Sequence, residues 1–369
     1  MGQFSQSNTH KLIFVKPSGT ATVAHLSEYS EIIDARTPSE FAEDHIPGAI
    51  NLPVLDDEER ARVGTLHKQA SAFDAKKVGA ALVSRHIAEH LERYFHDKPV
   101  GYKPLVYCWR GGNRSGSMAH VLQKVGFKAA QLDGGYKAYR RTVIAELEQL
   151  PAQFEFRVIC GPTGCGKSRL LQSLHARGAQ VLDLEDLAAH RGSLLGSLPD
   201  KYQPSQKGFE SRLWWQLKQF DPGEPVFVES ESKKIGSLRV PDALLTAMRN
   251  GRSIWIEATI DQRAAILLEE YAHFLASPEN LLEQIAHLIP LRGHEMVDRW
   301  KILIEKRQWD QFVRDMLLSH YDPAYQKSLG RNYGTGQTCA AFPLTGIGNK
   351  DFDLLALKVL DSSSLENDA

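Results

Sequence analysis

The sequence is poor in cysteine, with four in 369 residues: Cys108, Cys160, Cys165 and Cys339. They show neither the paired spacing of a zinc site nor a disulfide framework, which fits a reducing compartment. The chain also lacks an apolar run of about 18 residues, and its polar N-terminus has no apolar signal core. We therefore predict no structural metal, no membrane segment and a soluble, cytoplasmic protein.

An excess of charge of one sign is missing as well, because 44 lysines and arginines face 45 acids and leave a net charge of −1. The whole chain therefore creates no field that would predict a polyanionic partner. Locally, however, residues 101–141 carry eight lysines and arginines against a single acid, Asp133. This excess is suited to a polyanion such as a nucleic acid, and a solvated basic face is an equal alternative.

What the sequence does contain is a cysteine in a loop rich in glycine and arginine. Cys108 follows the apolar run Pro104–Tyr107 and precedes a helical pattern that starts at Met118, so we expect a strand end that faces a helix N-terminus. Such surroundings turn loop N–H groups inward and favour a thiolate. The pattern predicts a nucleophile for a tetrahedral anion, and a buried structural cysteine is the alternative. The predicted catalytic residues are Cys108, Arg110 and Arg114, and the anion-binding loop adds Trp109, Gly111, Gly112, Asn113 and Ser115.

A second anion-binding pattern occupies residues 161–168, which read Gly-Pro-Thr-Gly-Cys-Gly-Lys-Ser and form a complete phosphate-binding loop (P-loop) motif. The motif follows an apolar strand pattern over 154–160 and precedes a helical run. Its N–H groups are expected to cradle a di- or triphosphate, while a lysine counters the charge and a serine holds Mg²⁺. The predicted contacts are Gly161, Gly164, Gly166, Lys167 and Ser168.

Residues beyond the P-loop supply candidate partners for phosphate or Mg²⁺. Glu229 ends an apolar strand that starts at Pro225, where P-loop folds place a carboxylate linked to Mg²⁺. A plain helix cap is the alternative interpretation. Lys233 and Lys234 follow shortly afterwards and are candidate phosphate contacts. We predict no tightly bound cofactor.

Strand patterns alternate with helical patterns along the chain, which predicts an α/β protein with parallel sheets and crossover helices. We expect a parallel-sheet domain over 1–150, a P-loop α/β domain with a helical C-terminal part over 151–361, and a disordered tail over 362–369. The domains are joined by a linker at Pro151. Other predicted features are strands at 12–15, 31–34 and 129–132, a capping box from Thr37 to Glu40, a surface loop or short helix over 56–77, and a helix break at 320–325.

The first half of the chain resembles a rhodanese domain. The resemblance rests on the segment Asp34–Asn51, the cysteine loop and the run Leu132-Asp133-Gly134-Gly135. It implies that Cys108 carries sulfur as a persulfide. The loop is one residue longer than in most rhodaneses, and its Arg114-Ser115 ending also resembles cysteine phosphatases. A phosphatase or a sulfurtransferase coupled to a P-loop kinase is therefore an alternative function.

The fusion of this cysteine loop to a P-loop and to the segment Glu229–Gly236 resembles the tRNA 2-selenouridine synthase family, as far as about Tyr325. The resemblance implies a transferase that replaces the 2-thio sulfur of a wobble uridine in tRNA with selenium from selenophosphate. It implies geranylation of that sulfur by geranyl diphosphate as an intermediate step, with Cys108 carrying the selenium. The implied partners are the anticodon arm of tRNA and an enzyme that supplies selenophosphate.

Overall fold

The predicted alternation of strands and helices is present in the computed structural model, which describes residues 19–193, 195–197, 201–326 and 340–365. The chain forms two compact units, Met1–Thr142 and Val143–Ala369. Within the described ranges, no helix combines the length and the apolar character needed to cross a bilayer. The α/β fold class is confirmed. The strand predicted at 12–15 lies outside the described residues.

The first unit is built on a parallel sheet with strand order β1-β5-β4-β2-β3. The central strand β4 is buried along its whole length, as expected for a parallel strand covered on both faces. Val106 of β4 pairs with Ile33 of β2 on one side and with Gln131 of β5 on the other. The strands are β1 (Thr20–Ala21), β2 (Glu31–Asp34), β3 (Ile50–Asn51), β4 (Pro104–Tyr107) and β5 (Ala130–Leu132).

The helices of the first unit are α1 (Pro38–Glu43), α2 (Asp57–Gln69), α3 (Ala72–Arg93) and α4 (Asn113–Val125), and a 3₁₀ helix spans Val23–Glu28. Helix α5 (Gly135–Leu147) begins in the first unit and ends in the second. The predicted capping box is confirmed, because the Thr37 hydroxyl accepts from the N–H of Glu40 and the Glu40 carboxylate accepts from the N–H of Thr37. Helix α2 occupies most of the segment 56–77. Its own capping box, Asp56 with Glu59, starts this polar helix although none of its residues is buried.

The second unit has a parallel sheet with the order β12-β11-β6-β8-β7. Its strands are β6 (Phe156–Cys160), β7 (Gln180–Leu182), β8 (Val226–Glu229), β11 (Arg252–Glu257) and β12 (Ala340–Pro343), and β9 (Lys234–Ile235) forms an antiparallel pair with β10 (Leu238–Arg239). Because β6 and β8 are parallel neighbours, the loop after β6 and the end of β8 meet at one edge of the sheet.

The helices of the second unit, in chain order, are α6 (Lys167–Ala176), α7 (Leu184–Ala188), α8 (Gln206–Gln219), α9 (Asp242–Asn250), α10 (Ile260–Glu270), α11 (Ala272–Ala276), α12 (Pro278–Ala286), α13 (Ile289–Arg292), α14 (His294–Glu305), α15 (Trp309–Met316) and α16 (Asn349–Leu365). One apolar core lies around Leu170, Phe227 and Phe352, beside the sheet. A second core surrounds the fully buried Trp300 and belongs to helices α11 to α15. The predicted helical C-terminal part is confirmed.

Three predicted boundaries differ from the structure. The predicted linker is a short 3₁₀ helix, Leu150–Gln153, and the two units divide earlier, after Thr142, within the helix Gly135–Leu147. The helix break predicted at 320–325 is wrong, because a π-helical turn over Leu317–Tyr321 leads directly into helical residues 322–326. Helix α16 extends to Leu365, so the start of the tail predicted to be disordered is helical.

Candidate functional site: a thiol loop and a phosphate-binding loop

Cys108 lies where the sequence places it, directly after β4 and close to the start of α4. Its side chain is buried, with 3% of its surface exposed. The Ser115 hydroxyl donates a hydrogen bond to the Cys108 Sγ at 3.1 Å. Since α4 begins at Asn113, its first N–H groups lack acceptors within the helix and are available to an anion in front of the thiol.

Gln131 holds the serine that contacts the thiol. Its Nε2 donates to the Ser115 Oγ at 2.9 Å and to the Gly112 carbonyl at 3.0 Å. Both bonds orient Ser115 so that its single hydroxyl proton is directed to sulfur. Sequence reasoning missed Gln131. The signal was a polar residue in the middle of the short apolar strand β5.

The start of α5 contacts the backbone of the Cys108 loop. The N–H groups of Tyr136 and Lys137 donate to the carbonyls of Cys108 and Trp109 at 2.8 and 3.0 Å. The Trp109 ring stacks on Tyr136 with 5.3 Å between ring centroids. Gly135, at a φ of +56°, allows this approach, because a Cβ there would overlap the Cys108 carbonyl oxygen and the Gly111 nitrogen.

We expect Gly135→Ala to lower the free energy of unfolding by about 2 to 4 kcal/mol, because it adds both the overlap and a left-handed backbone. Urea unfolding followed by circular dichroism measures this. The matched control is Gly112→Ala in the same loop, where φ is −98° and a Cβ would contact nothing. Equal effects of the two substitutions would show that the loop does not depend on this close approach.

The two predicted catalytic arginines have different surroundings. Arg110 is exposed at the tip of the loop. Arg114 is half-buried and its guanidinium donates to the Glu40 carboxylate at 2.8 Å. Glu40 also caps α1, and the Arg114 contact contributes to holding the pKa of this carboxyl below its usual value although burial opposes that shift. The charge of Arg114 is therefore already paired with that of Glu40. Gly111 and Gly112 form the turn, and Asn113 is exposed at the start of α4.

The P-loop prediction of a strand, a glycine loop and a helix is confirmed by β6, residues 161–166 and α6. Gly164 and Gly166 have φ values of +82° and +83°. At Gly166 a Cβ would overlap the Phe352 ring of α16, so only glycine fits. The loop borders a cavity of about 920 Å³ that lies within the second unit.

Lys167 is one of the cations that line this cavity, together with Arg169, Arg191 and Lys201. Its Nζ donates to the Gly161 carbonyl at 3.1 Å. Burial disfavours the charged form, but the charges of Cys165, Tyr325 and the nearby glutamates raise the pKa of Lys167 above its usual value. The ammonium group is therefore retained at neutral pH and is available to a phosphate.

Three glutamates face Lys167 across the cavity. Oxygens of Glu185, Glu229 and Glu231 lie within 4.8 Å of one another. The Ser168 hydroxyl is 3.3 Å from Glu185 and 3.5 Å from Glu229. Burial and mutual repulsion raise the pKa of Glu185 to about 8 and that of Glu229 well above its usual value. Burial raises the pKa of Glu231 to about 7.

These groups fit a divalent cation. Glu229 is 1% exposed, and its Oε1 has no hydrogen-bond partner among the described residues. A serine hydroxyl and carboxylate oxygens are the ligands that Mg²⁺ prefers. Ser168, Glu229 and Glu185 would hold the ion, which would neutralise phosphate charge when bound. Glu185 was missed from the sequence. Its signal was the pair Asp183 and Glu185 just after the apolar strand β7.

The raised pKa values predict how stability depends on pH. In the unfolded chain these carboxyls titrate near 4.5, whereas Glu231 and Glu185 titrate near 7 and 8 in the folded protein. Between these limits the folded state binds more protons, so the cluster's contribution to stability falls as pH rises. In EDTA, we expect the melting temperature to fall less steeply from about pH 5 to about pH 8 in Glu231→Gln than in the parent protein.

Mg²⁺ should restore most of the lost stability of the parent protein near pH 8, because it replaces the protons that the cluster releases. Differential scanning calorimetry with EDTA and with Mg²⁺ measures both effects. Identical pH slopes for the two proteins would contradict the assignment of the shift to this cluster.

The structure does not bring the two predicted lysines to the cavity. Lys233 is exposed and pairs with Asp242 at 2.8 Å, and Lys234 is exposed in the β9–β10 hairpin. Tyr325 lines the cavity instead, and its hydroxyl accepts a hydrogen bond from the N–H of Gly161 at 2.8 Å. The buried Arg263 donates to the Thr163 carbonyl at 2.8 Å and to Asp322 at 3.1 Å, so it ties the P-loop to the helical segment that carries Tyr325.

Comparison with known proteins matches both units. Residues 20–142 match the rhodanese-like domain, and residues 154–286 match the tRNA 2-selenouridine synthase AAA domain. Proteins named tRNA 2-selenouridine synthase are similar over most of the chain. The one from Nitrosomonas europaea is 37% identical over 70% of this chain and 67% of its own length. The one from Alcanivorax borkumensis is 33% identical over 82% of this chain and 91% of its own length. The one from Shewanella halifaxensis is 31% identical over 81% of this chain and 89% of its own length.

The fold and the two loops define a class of protein in which a rhodanese-like domain with a loop cysteine is joined to a P-loop α/β domain. The chain belongs to the tRNA 2-selenouridine synthase family, whose members are tRNA-modifying transferases. The family resemblance is thereby confirmed.

Proposed function

We propose that the protein replaces the 2-thio sulfur of the wobble uridine in tRNA with selenium, by way of an S-geranyl intermediate. The observation that carries this proposal is the presence of two glycine-rich loops of different chemistry, one with a thiol and one with a half-buried lysine. Selenophosphate and geranyl diphosphate are the two anionic substrates. The tRNA anticodon arm is the acceptor.

The P-loop cavity is suited to geranyl diphosphate. Lys167 and the helix N-terminus behind it attract the diphosphate, and the carboxylates near Ser168 would bind it through Mg²⁺. The uridine sulfur attacks the first carbon of the geranyl chain, a carbon–sulfur bond forms, and diphosphate leaves with the electron pair of the broken carbon–oxygen bond. Lys167 stabilises the charge that develops on this leaving group.

The Cys108 loop is suited to selenophosphate. The start of α4 and Arg110 would hold the phosphate oxygens in front of the thiol, and Ser115 contacts the sulfur. Attack of the thiolate on phosphorus forms a sulfur–phosphorus bond and releases selenide without any oxidant. Transfer of selenium itself to Cys108 as a selenenyl sulfide would require an oxidant, so electron balance favours attack at phosphorus over the selenium-carrying cysteine that the resemblance implied.

The released selenide then attacks C2 of the S-geranyl uridine and expels geranyl thiolate. Water removes the phosphoryl group from Cys108 and regenerates the thiol. Selenium reaches the base at the oxidation level it has in selenophosphate. None of these reaction steps requires hydrolysis of a nucleotide.

Omission of each substrate in turn tests the proposal. Purified protein is incubated with tRNA that contains 2-thiouridine, and the nucleosides are analysed by mass spectrometry. We expect S-geranyl-2-thiouridine with geranyl diphosphate alone and 2-selenouridine only with both substrates. Formation of 2-selenouridine without geranyl diphosphate would exclude the intermediate. Unmodified tRNA together with rapid hydrolysis of an aryl phosphate would favour the alternative, a phosphatase coupled to a P-loop kinase.

A further inference from the structure

A second pocket in the second unit is almost entirely apolar. Its volume is about 60 Å³, against about 920 Å³ for the P-loop cavity. Helices α10, α11, α12 and α15 line it with Leu267, Phe274, Leu281, Phe312, Val313 and Met316. No charged side chain is part of the lining. The chemistry described above makes no use of this pocket.

The pocket and the P-loop cavity share a border. Thr163, Leu267, Tyr271 and Tyr321 line both of them. Thr163 belongs to the P-loop itself, between the glycines that turn its backbone. A ligand whose phosphates bind at Lys167 therefore has its remaining part within reach of the apolar pocket.

We propose that this pocket binds the terminal carbons of the apolar tail of a short prenyl diphosphate, whose other carbons lie in the adjoining P-loop cavity, and that it limits the length of that tail. The inference rests on the proposed function, because it takes the P-loop cavity as the site of the diphosphate. A nucleoside is a poor occupant, since its base and ribose would leave polar groups without partners between leucine, phenylalanine and methionine side chains. A hydrocarbon tail meets no such cost, and each buried methylene group strengthens binding by about fourfold.

The small volume gives the pocket its selectivity. Tails longer than the pocket accepts must either displace packed side chains or leave apolar carbons in water. Phe312 and Met316 are nearly buried members of the surrounding core, whereas Val313 is half-buried on the same helix. A larger residue at Val313 should therefore fill the pocket, and a smaller residue at Met316 should enlarge it.

Calorimetric titration with Mg²⁺ present tests this with three ligands: inorganic diphosphate, geranyl diphosphate and the longer farnesyl diphosphate. For the parent protein we expect geranyl diphosphate to bind at least about tenfold more tightly than inorganic diphosphate. Val313→Phe should lower the ratio of the affinities for geranyl diphosphate and inorganic diphosphate by about tenfold. Its affinity for inorganic diphosphate should stay within about twofold of that of the parent protein. Met316→Ala should shift the preference toward farnesyl diphosphate. The control is Ile302→Phe, an exposed position on α14 that does not line the pocket.

Unchanged preferences in both pocket variants, or equal weakening of all three ligands, would overturn the inference. S-geranylation of tRNA by the same proteins is measured in parallel. Normal geranylation by both variants with unchanged ligand preference overturns the pocket alone and leaves the proposed function in place. No S-geranyl product from the parent protein, with inorganic diphosphate still bound, overturns the proposed function.

Discussion

Replacing Cys108 with alanine is expected to abolish 2-selenouridine and to leave S-geranyl tRNA accumulating. The substitution removes the thiol that accepts a hydrogen bond from Ser115 and lies before the start of α4. Loss of a catalytic nucleophile typically costs several orders of magnitude in rate. Geranylation should continue, because its P-loop belongs to the second unit.

Mass spectrometry of nucleosides from tRNA incubated with both substrates measures this outcome. Cys160→Ala is the matched control, since it also removes a buried thiol at the end of a parallel strand, in the second unit. It should preserve selenation. Ser115→Ala should give an intermediate loss of about tenfold or more, because only the hydrogen bond to sulfur is removed. Undiminished 2-selenouridine in Cys108→Ala would refute the assigned role.

Replacing Lys167 with alanine should lower the rate of geranylation by about two to three orders of magnitude. The ammonium group belongs to the loop that is predicted to hold the diphosphate, and its contribution grows as negative charge develops on the departing group. Selenium transfer onto tRNA that already carries the S-geranyl group should largely survive. That step depends on Cys108 and its loop.

Single-turnover assays with 2-thiouridine tRNA and with pre-geranylated tRNA separate the two steps. Lys233→Ala is the control, because it removes the same charge from an exposed residue paired with Asp242. It should leave both steps unchanged. If Lys167→Ala blocks selenation of pre-geranylated tRNA as completely as it blocks geranylation, the division of labour between the loops is wrong and one shared site is indicated.

Local signals predicted the parts of the fold that depend on a few neighbouring residues. The capping box at Thr37, the buried strand β4 and the strand, loop and helix around 161–168 follow from residue type and spacing alone. Boundaries were less predictable. The division of the chain after Thr142, rather than at Pro151, falls inside α5, and a continuous helical pattern carries no local signal of such a division.

The site shows the same contrast. Cys108, Lys167 and Ser168 belong to local motifs that are flanked by a strand pattern and a helical pattern. Their positions after a strand and near the start of a helix were therefore predictable. The roles given to them from the sequence stay predictions. Lys233 and Lys234 were predicted as phosphate contacts because they follow Glu229 in the chain, but neither lines the cavity, and Lys233 pairs with Asp242.

The sequence by itself determined the two domains, the α/β fold class and the two loops, because each is encoded by contiguous residues with a fixed local geometry. Only the tertiary structure decided which partners surround them. Gln131 reaches Ser115, Glu40 pairs with Arg114, and Glu185 joins Glu229 near Lys167. These contacts connect residues up to 74 positions apart. Parallel strands bring such residues to a common sheet edge through crossover connections whose length leaves no periodic trace in the sequence.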